Sequence, residues 1–319
     1  MNRVAPVVFL ACSAALAASA WSAYPDRPVR VVVPYAAGGS TDTTARLVGT
    51  KLTERLGQQV VVDNRAGGGT LVGTQIVAQA APDGYTLLMA TPPFVVNPSL
   101  RAQVPYSLTD FAAITNVSGS SNLLVVHPSV PANTPQELIA LLKANPGKYL
   151  YGSSGVAGAG HLAMALFESM AGVQAVHVPY KGGPPAVADL VAGRVNMMMG
   201  NLTTAQPHIR AGRLRALAIG TKQRSPLVPD LPTLSASGVP GYEMTNWNGV
   251  VAPTRTPRAV IERLHREIAA ILKEPEVVAF MTKVYLDPIG DTPAEFAQYL
   301  ESEAAKWARL VKSAGIRAD

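Results

Sequence analysis

Cysteine is all but absent from this 319-residue chain, Cys12 being the single example. It falls inside an N-terminal stretch that reads as a secretory signal. Met1-Asn2-Arg3 is a short basic start, Val4 to Ala20 is apolar and small, and Ala18-Ser19-Ala20 is an A-x-A cleavage site. Phe9-Leu10-Ala11 makes a poor lipobox, so no lipid is expected on Cys12. A chain cleaved within residues 1–23 has no cysteine left, which excludes disulfides, thiol nucleophiles and thiolate metal sites. After the signal no uninterrupted apolar run is long enough to span a bilayer. Charged residues are scarce at 15%, with no acidic or basic block, while apolar residues make up 48%. That balance excludes a disordered chain. Loss of Arg3 lowers the net charge from +6 to +5. The remaining basic residues are scattered and few stand beside aromatics, so no nucleic-acid stripe is present. The expectation is a soluble periplasmic protein of two ordinary domains.

What the chain does have is a recurring unit of strand, glycine loop and helix start. The first runs from Val29 to Arg46. A β-branched strand, Val29 to Val33, reads as buried on both faces, the pattern of a parallel sheet. Tyr35 follows, then the small loop Ala36-Ala37-Gly38-Gly39, and Ser40, Thr41 and Asp42 are all acceptable N-caps for the next helix. The first N–H groups of a helix lack intrahelical acceptors and carry part of its positive dipole, so an anion is welcome there. The alternative is an ordinary βα turn with no ligand.

The unit recurs along the chain. Gln59 to Val62 leads into Ala66-Gly67-Gly68-Gly69, and the strand Tyr85 to Met89 ends at Ala90-Thr91-Pro92-Pro93. Near His127-Pro128 the pattern restarts. Tyr149 to Gly152 leads into Ser153-Ser154-Gly155-Val156-Ala157-Gly158-Ala159-Gly160 and a helix from His161. Ala175 to Val178 leads into Tyr180-Lys181-Gly182-Gly183, and Val195 to Met199 into Gly200-Asn201. Trp247 to Ala252 reads as a short strand crossing back, and two long helices, opening at Pro257 and Thr292, close the chain. This spacing predicts two doubly wound α/β lobes. Lobe one comprises residues 24–124 and 247–319, lobe two residues 125–246, and the glycine loops of both face a cleft at the carboxyl ends of the strands.

Catalytic and metal chemistry finds little support in these residues. Ser154, His161 and Asp42 supply the residue types of a hydrolase triad, but Val156 breaks the G-x-S-x-G elbow, and His161 reads more simply as lining or bracing its loop. His127, His177, His208 and His265 have no metal-ligand spacing, so no metal or cofactor is expected. Met197-Met198-Met199 fits alternation within a buried strand better than a soft-metal site. Lys181 either reaches the ligand or stands solvated on the cleft rim. Trp247 either packs against ligand or is a buried structural residue.

The stretches YPDRPVRVVVPYAAGGSTDTTAR, VVVDNRAGGG, PDGYTLLMAT, YGSSGVAGAGHLA, VPYKGGPPAVADLVAGRV and WNGVVAPTRTP, in that order, together resemble the tripartite tricarboxylate transporter receptors, also called the Bug family. The resemblance implies a type II periplasmic binding-protein fold that closes on a carboxylated small molecule and hands it to membrane permease subunits. It implies no catalysis and a monomeric receptor. It points to Ala37 through Asp42 and Ser153 through Ala159 as the loops that hold a ligand carboxylate. Tyr35, Thr91, Ser154, Gly155, His161, Tyr180, Lys181, Asn201 and Trp247 are expected around them. Relatives carry an aspartate where this chain has Gly200 and Asn201, which removes an acidic partner for a ligand ammonium. The alternatives are a ligand sensor for a membrane histidine kinase and a periplasmic hydrolase.

Overall fold

The computed structural model describes residues 24–314. The signal-peptide expectation concerns residues 1–23 and lies outside the described residues. The chain begins with β1 (Val29–Val33), α1 (Ser40–Leu56), β2 (Val60–Asn64), a turn of 3-10 helix, α2 (Leu71–Ala78), β3 (Thr86–Ala90) and α3 (Pro92–Leu100). A 16-residue strand follows, β4 (Phe111–Val126). Then come α4 (Pro135–Ala144), β5 (Leu150–Ser153), α5 (Ala159–Ala171), β6 (Val176–Pro179), α6 (Gly183–Val191), β7 (Met197–Asn201), α7 (Leu202–Arg210) and β8 (Arg215–Ile219). The chain continues through β9 (Thr245–Pro253), α8 (Arg258–Ile271), α9 (Pro275–Lys283), β10 (Asp287–Pro288) and α10 (Pro293–Ala314).

Two half-sheets share β4. The first has the order β2-β1-β3-β9-β4 with β10 beyond, and the second has β6-β5-β7-β4 with β8 beyond. In each, three parallel strands meet one antiparallel strand that returns from the other side. Along β4 the partner changes from β9, through Ser121, to β7, from Asn122 onward. This is the two-lobed type II periplasmic binding-protein fold, an α/β architecture with the cleft between its lobes. β4 is the strand that passes from one half-sheet to the other, and β9 pairs along its first half.

The valine run explains the layering. Val31 and Val33 of β1 face α1 and α8, joining Val48, Leu52, Leu264 and Ile268 in one core. Val32 faces the opposite way, into a second core with Val77, Phe94, Phe296 and Trp307. Both faces of Val31 to Val33 are therefore dry, while Arg30 at the strand's outer end is half-buried and paired with Asp63.

Three elements differ from the sequence expectation. Pro92-Pro93 ends β3 but also opens α3, because proline is tolerated at the first helical positions, where no N–H is needed. The sequence predicts two separate strands, Phe111 to Thr115 and Leu123 to Val126, yet the Ser-, Gly- and Asn-rich stretch between them stays extended within β4 because β9 and β7 satisfy its backbone. Between the two expected C-terminal helices the chain forms α9 and β10 as well.

Candidate ligand-binding cleft

Five strand-to-helix junctions converge on one cavity between the lobes. Ser40 and Thr41 come from the start of α1, Pro92 from α3, Ala159 and Gly160 from α5, Gly183 from α6, and Thr204 from the first turn of α7. The floor is crossed by β4 and β9 and includes Asn122, Asn246, Trp247 and Asn248. The cavity offers about 60 Å³ to the centres of water-sized spheres. That is room for a few waters or a small organic acid, since about 10–15 Å³ on this measure holds one water. None of the described residues lining it is charged. Pro92-Pro93 and Pro184-Pro185 remove most first-turn N–H groups from α3 and α6, and Asn201 takes the Thr204 N–H of α7, so the free helix-start donors come chiefly from α1 and α5, and these favour an anion.

Tyr35 stands at the cavity wall. Its hydroxyl lies 3.4 Å from Thr91 Oγ1. Burial pushes the hydroxyl up to about 12, and hydrogen bonds from Thr91, the Ala159 backbone and Ser154 only partly offset this. It stays a neutral phenol at any physiological pH, able to donate to an anion.

The α1 loop is not capped as expected. Gly39 occupies the N-cap position without a side-chain cap, and the helix already begins at Ser40. Asp42 instead reaches back from the third helical position to accept the Gly38 N–H at 2.9 Å. It also binds Arg46 at 2.9 Å and Asn64 at 3.0 Å. Burial alone would raise its carboxyl, but the bonds from Arg46, Gly38 and Asn64 outweigh burial and hold it below the usual range. It shapes the loop from behind.

The α5 loop is braced from below by two histidines. His161 Nδ1 accepts the Ala157 N–H at 3.1 Å and so fixes a non-glycine residue at φ 59°. The imidazole of His177 stacks on His161 with centroids 4.2 Å apart and meets Ser153 Oγ at 2.6 Å. Burial, followed by the charge of Arg101, lowers His161 to about 4; burial, followed by His161, lowers His177 to about 3.

The lobes touch above the cavity. Asn201 Nδ2 donates to Ser40 Oγ at 2.9 Å, and the Ala36 N–H to the Lys181 carbonyl at 3.1 Å. A Cβ on Gly69 would collide with the Val156 carbonyl oxygen, and φ there is +65°. Only glycine allows that approach. Beyond Tyr35 and Ser154, which border both spaces, a second and more open compartment of about 390 Å³ carries Arg101 and Lys181 on its walls.

The family model for the tripartite tricarboxylate transporter family receptor matches residues 44–316. The chain belongs to this receptor family. The BugT protein of Bordetella pertussis is 35% identical over 322 residues, covering 99% of this chain and 99% of BugT. A solved structure described as a periplasmic transporter is 40% identical, with a TM-score of 0.89, covering 93% of this chain and all of that one. A Rhodopseudomonas palustris protein solved with adipate is 36% identical, with a TM-score of 0.89 and coverages of 92% and 99%. MatC of the same organism, solved with bound malate, is 29% identical, with a TM-score of 0.86 and coverages of 90% and 100%. The family is one of periplasmic solute-binding receptors.

In this receptor the expected site residues divide into three groups. Tyr35, Gly39, Ser40, Thr41, Thr91, Ser154, Ala159, Asn201 and Trp247 line the cavity. Gly155, Tyr180 and Lys181 line the second compartment, where the Tyr180 hydroxyl is engaged with Asp189 at 2.7 Å and Lys181 is exposed. Ala37, Gly38, Asp42, Ser153 and His161 line neither. Ala37 and Gly38 are exposed, while Asp42, Ser153 and His161 are buried behind the loops. The triad residues are engaged apart from one another: Asp42 holds Gly38, Arg46 and Asn64, His161 holds Ala157, and Ser154 faces Tyr35. Sequence reasoning missed Asn122, Asn246 and Asn248, whose clustering depends on the pairing of β4 with β9. It also missed Thr204, which follows the N-cap Asn201 and was legible as the first turn of α7.

Proposed function

We propose that this receptor captures a small carboxylated organic acid in the periplasm, binding it in the interlobe cavity without catalysis. It then delivers the acid to the membrane permease subunits of a tripartite tricarboxylate-type transporter. One observation carries the reading: the proline-free starts of α1 and α5 meet at a cavity whose described lining has no charged side chain. Such a site holds an anion through neutral donors alone, and a cation would find no acidic partner. The adipate and malate bound by the two R. palustris relatives support a carboxylate ligand of this size.

In this reading the chain is exported with residues 1–23 as its cleaved signal and acts as a monomer. Residues 24–124 with 247–319 form lobe one, and residues 125–246 form lobe two. The lobes hinge through β4 and β9, closing over the ligand and removing water from around its charge. Mass spectrometry of small molecules released from the native protein tests this. A carboxylic acid in stoichiometric amount is expected, whereas a stoichiometric cation or an uncharged molecule would overturn the reading.

A further inference from the structure

The second compartment carries the charge that the cavity lacks. It offers about 390 Å³ against about 60 Å³ for the cavity, and Tyr35 and Ser154 border both. Arg101 and Lys181 line it, and no acidic side chain does among the described residues. The two cations arrive from opposite halves of the molecule. Arg101 is the C-cap of α3, and its Nε donates to Asn97 Oδ1 at 3.4 Å. Asn97 in turn donates to the Gly69 carbonyl at 3.0 Å, which places Arg101 beside the glycine loop of the first half-sheet. Lys181 follows β6 in the second. Its carbonyl accepts the Ala36 N–H at 3.1 Å, so its backbone is pinned where the halves touch while its side chain is exposed. Asp189, which accepts the Tyr180 hydroxyl at 2.7 Å, is itself paired with Arg194.

This separation of charge from cavity has a kinetic consequence. A cation inside the small cavity would have to give up its water on closure, at a cost that pairing must repay. In the larger and more open space the same cation keeps its water and acts at a distance. Charges at the rim of a site mainly change the rate of association and its salt dependence, whereas buried donors govern how long the ligand stays. The field of Arg101 does reach the cavity wall, since after burial it is the second cause that lowers His161 beneath the α5 loop.

We infer that Arg101 and Lys181 make the second compartment a cationic vestibule, which draws a small organic anion from solvent and passes it by Tyr35 and Ser154 into the neutral cavity. This rests on the carboxylate reading above and adds to it the route of entry and the residues that set the rate of capture.

Stopped-flow fluorescence of the mature protein tests the vestibule, because Trp247 lines the cavity and reports arrival of a ligand. The probes are acetate, benzoate, succinate, malate, adipate and citrate. Sodium chloride at about 20 mM and about 500 mM shortens the screening length from about 20 Å to about 4 Å. For each acid that binds, Lys181→Gln is expected to slow association about threefold at low salt and Lys181→Glu about tenfold, with dissociation changed less. At high salt the differences should shrink to within about twofold. Lys181 carries the test because Arg101 also bonds Asn97. Lys148→Glu makes the same change in net charge at an exposed site before β5, the end of that strand away from the Ser153 loop, and should leave association within about twofold. Equal association rates in the parent and both Lys181 variants at low salt would overturn the vestibule and leave the carboxylate reading standing. So would equal slowing in Lys148→Glu, slowing that persists at high salt, or an effect confined to dissociation. Binding of none of the six acids would overturn both readings.

Discussion

Asn201 and Ser40 meet across the cleft, the amide of one donating to the hydroxyl of the other at 2.9 Å. Asn201 ends β7 in the half-sheet β6-β5-β7-β4, and Ser40 opens α1 beside the half-sheet β2-β1-β3-β9-β4, so the bond ties the two halves together. Asn201 also accepts the Thr204 N–H as the N-cap of α7. The two substitutions should therefore differ. Ser40→Ala should weaken ligand binding by about 0.5–1.5 kcal/mol, the net value of one hydrogen bond, with little change in unliganded stability. Asn201→Ala should weaken binding similarly and also cost about 1 kcal/mol of folding stability through the lost cap. Calorimetry and urea unfolding on both variants separate the two effects, and equal unfolding midpoints would contradict the division.

Gly69 sits where loops of the two half-sheets touch. Its backbone lies against the Val156 carbonyl of the opposite lobe, with no space for a Cβ. Gly69→Ala is expected to hold the lobes apart and to lower affinity by tenfold or more, about 1.4 kcal/mol. Small-angle scattering with saturating ligand should give a larger radius of gyration for the variant than for the parent. Identical liganded radii would show that this contact does not limit closure.

Asp42 links loop shape to pH. Its carboxyl is held below the usual range in the folded chain, so its stabilisation is present above the unfolded-state value and is lost as pH falls through the folded one. Asp42→Ala should destabilise the protein by about 1–3 kcal/mol at pH 7, through bonds made to a charged group. The difference from the parent should narrow below pH of about 4, near the ordinary aspartate value. Urea unfolding at pH 7 and pH 3 measures both, and a gap that did not shrink at low pH would exclude an ionic origin.

The stacked pair beneath the α5 loop has its own pH signature. His161 and His177 are lowered to about 4 and about 3, with burial the main cause. The unfolded chain then takes up protons that the folded chain refuses. This stabilisation is complete above about 6.5, the ordinary histidine value, and is lost as pH falls from there towards the folded values. His161→Gln should flatten the dependence of stability between pH 7.5 and 5. NMR of the parent should show both imidazoles neutral at pH 6, and titration of either ring near its ordinary value would contradict the burial argument.

The features legible in sequence were those set by local chemistry. The Val29 to Val33 run could only be a doubly buried strand, and Gly38-Gly39 before Ser40 could only be a loop feeding a helix. Four of the five helix starts around the cavity follow small-residue or cap residues for that reason, and the fifth, at Pro92, was hidden because the same prolines that end a strand can open a helix. The floor was not legible. Asn122 on β4 lies more than 120 residues before Asn246 and Asn248 on β9, and only the pairing of the two strands, Ser120↔Asn246 and Ser118↔Asn248, brings them together. His177 bracing Ser153 was hidden likewise, because β6 must pair with β5 before the two can meet.

The central claim, that the cleft binds an organic anion through helix-start donors, is tested most directly by titration calorimetry of the mature protein. The titrants are a panel of small carboxylic acids and their methyl esters. Saturable one-to-one binding of at least one acid is expected, with its ester bound at least tenfold more weakly, about 1.4 kcal/mol. Equal binding of acid and ester, or no binding of any acid, would contradict it.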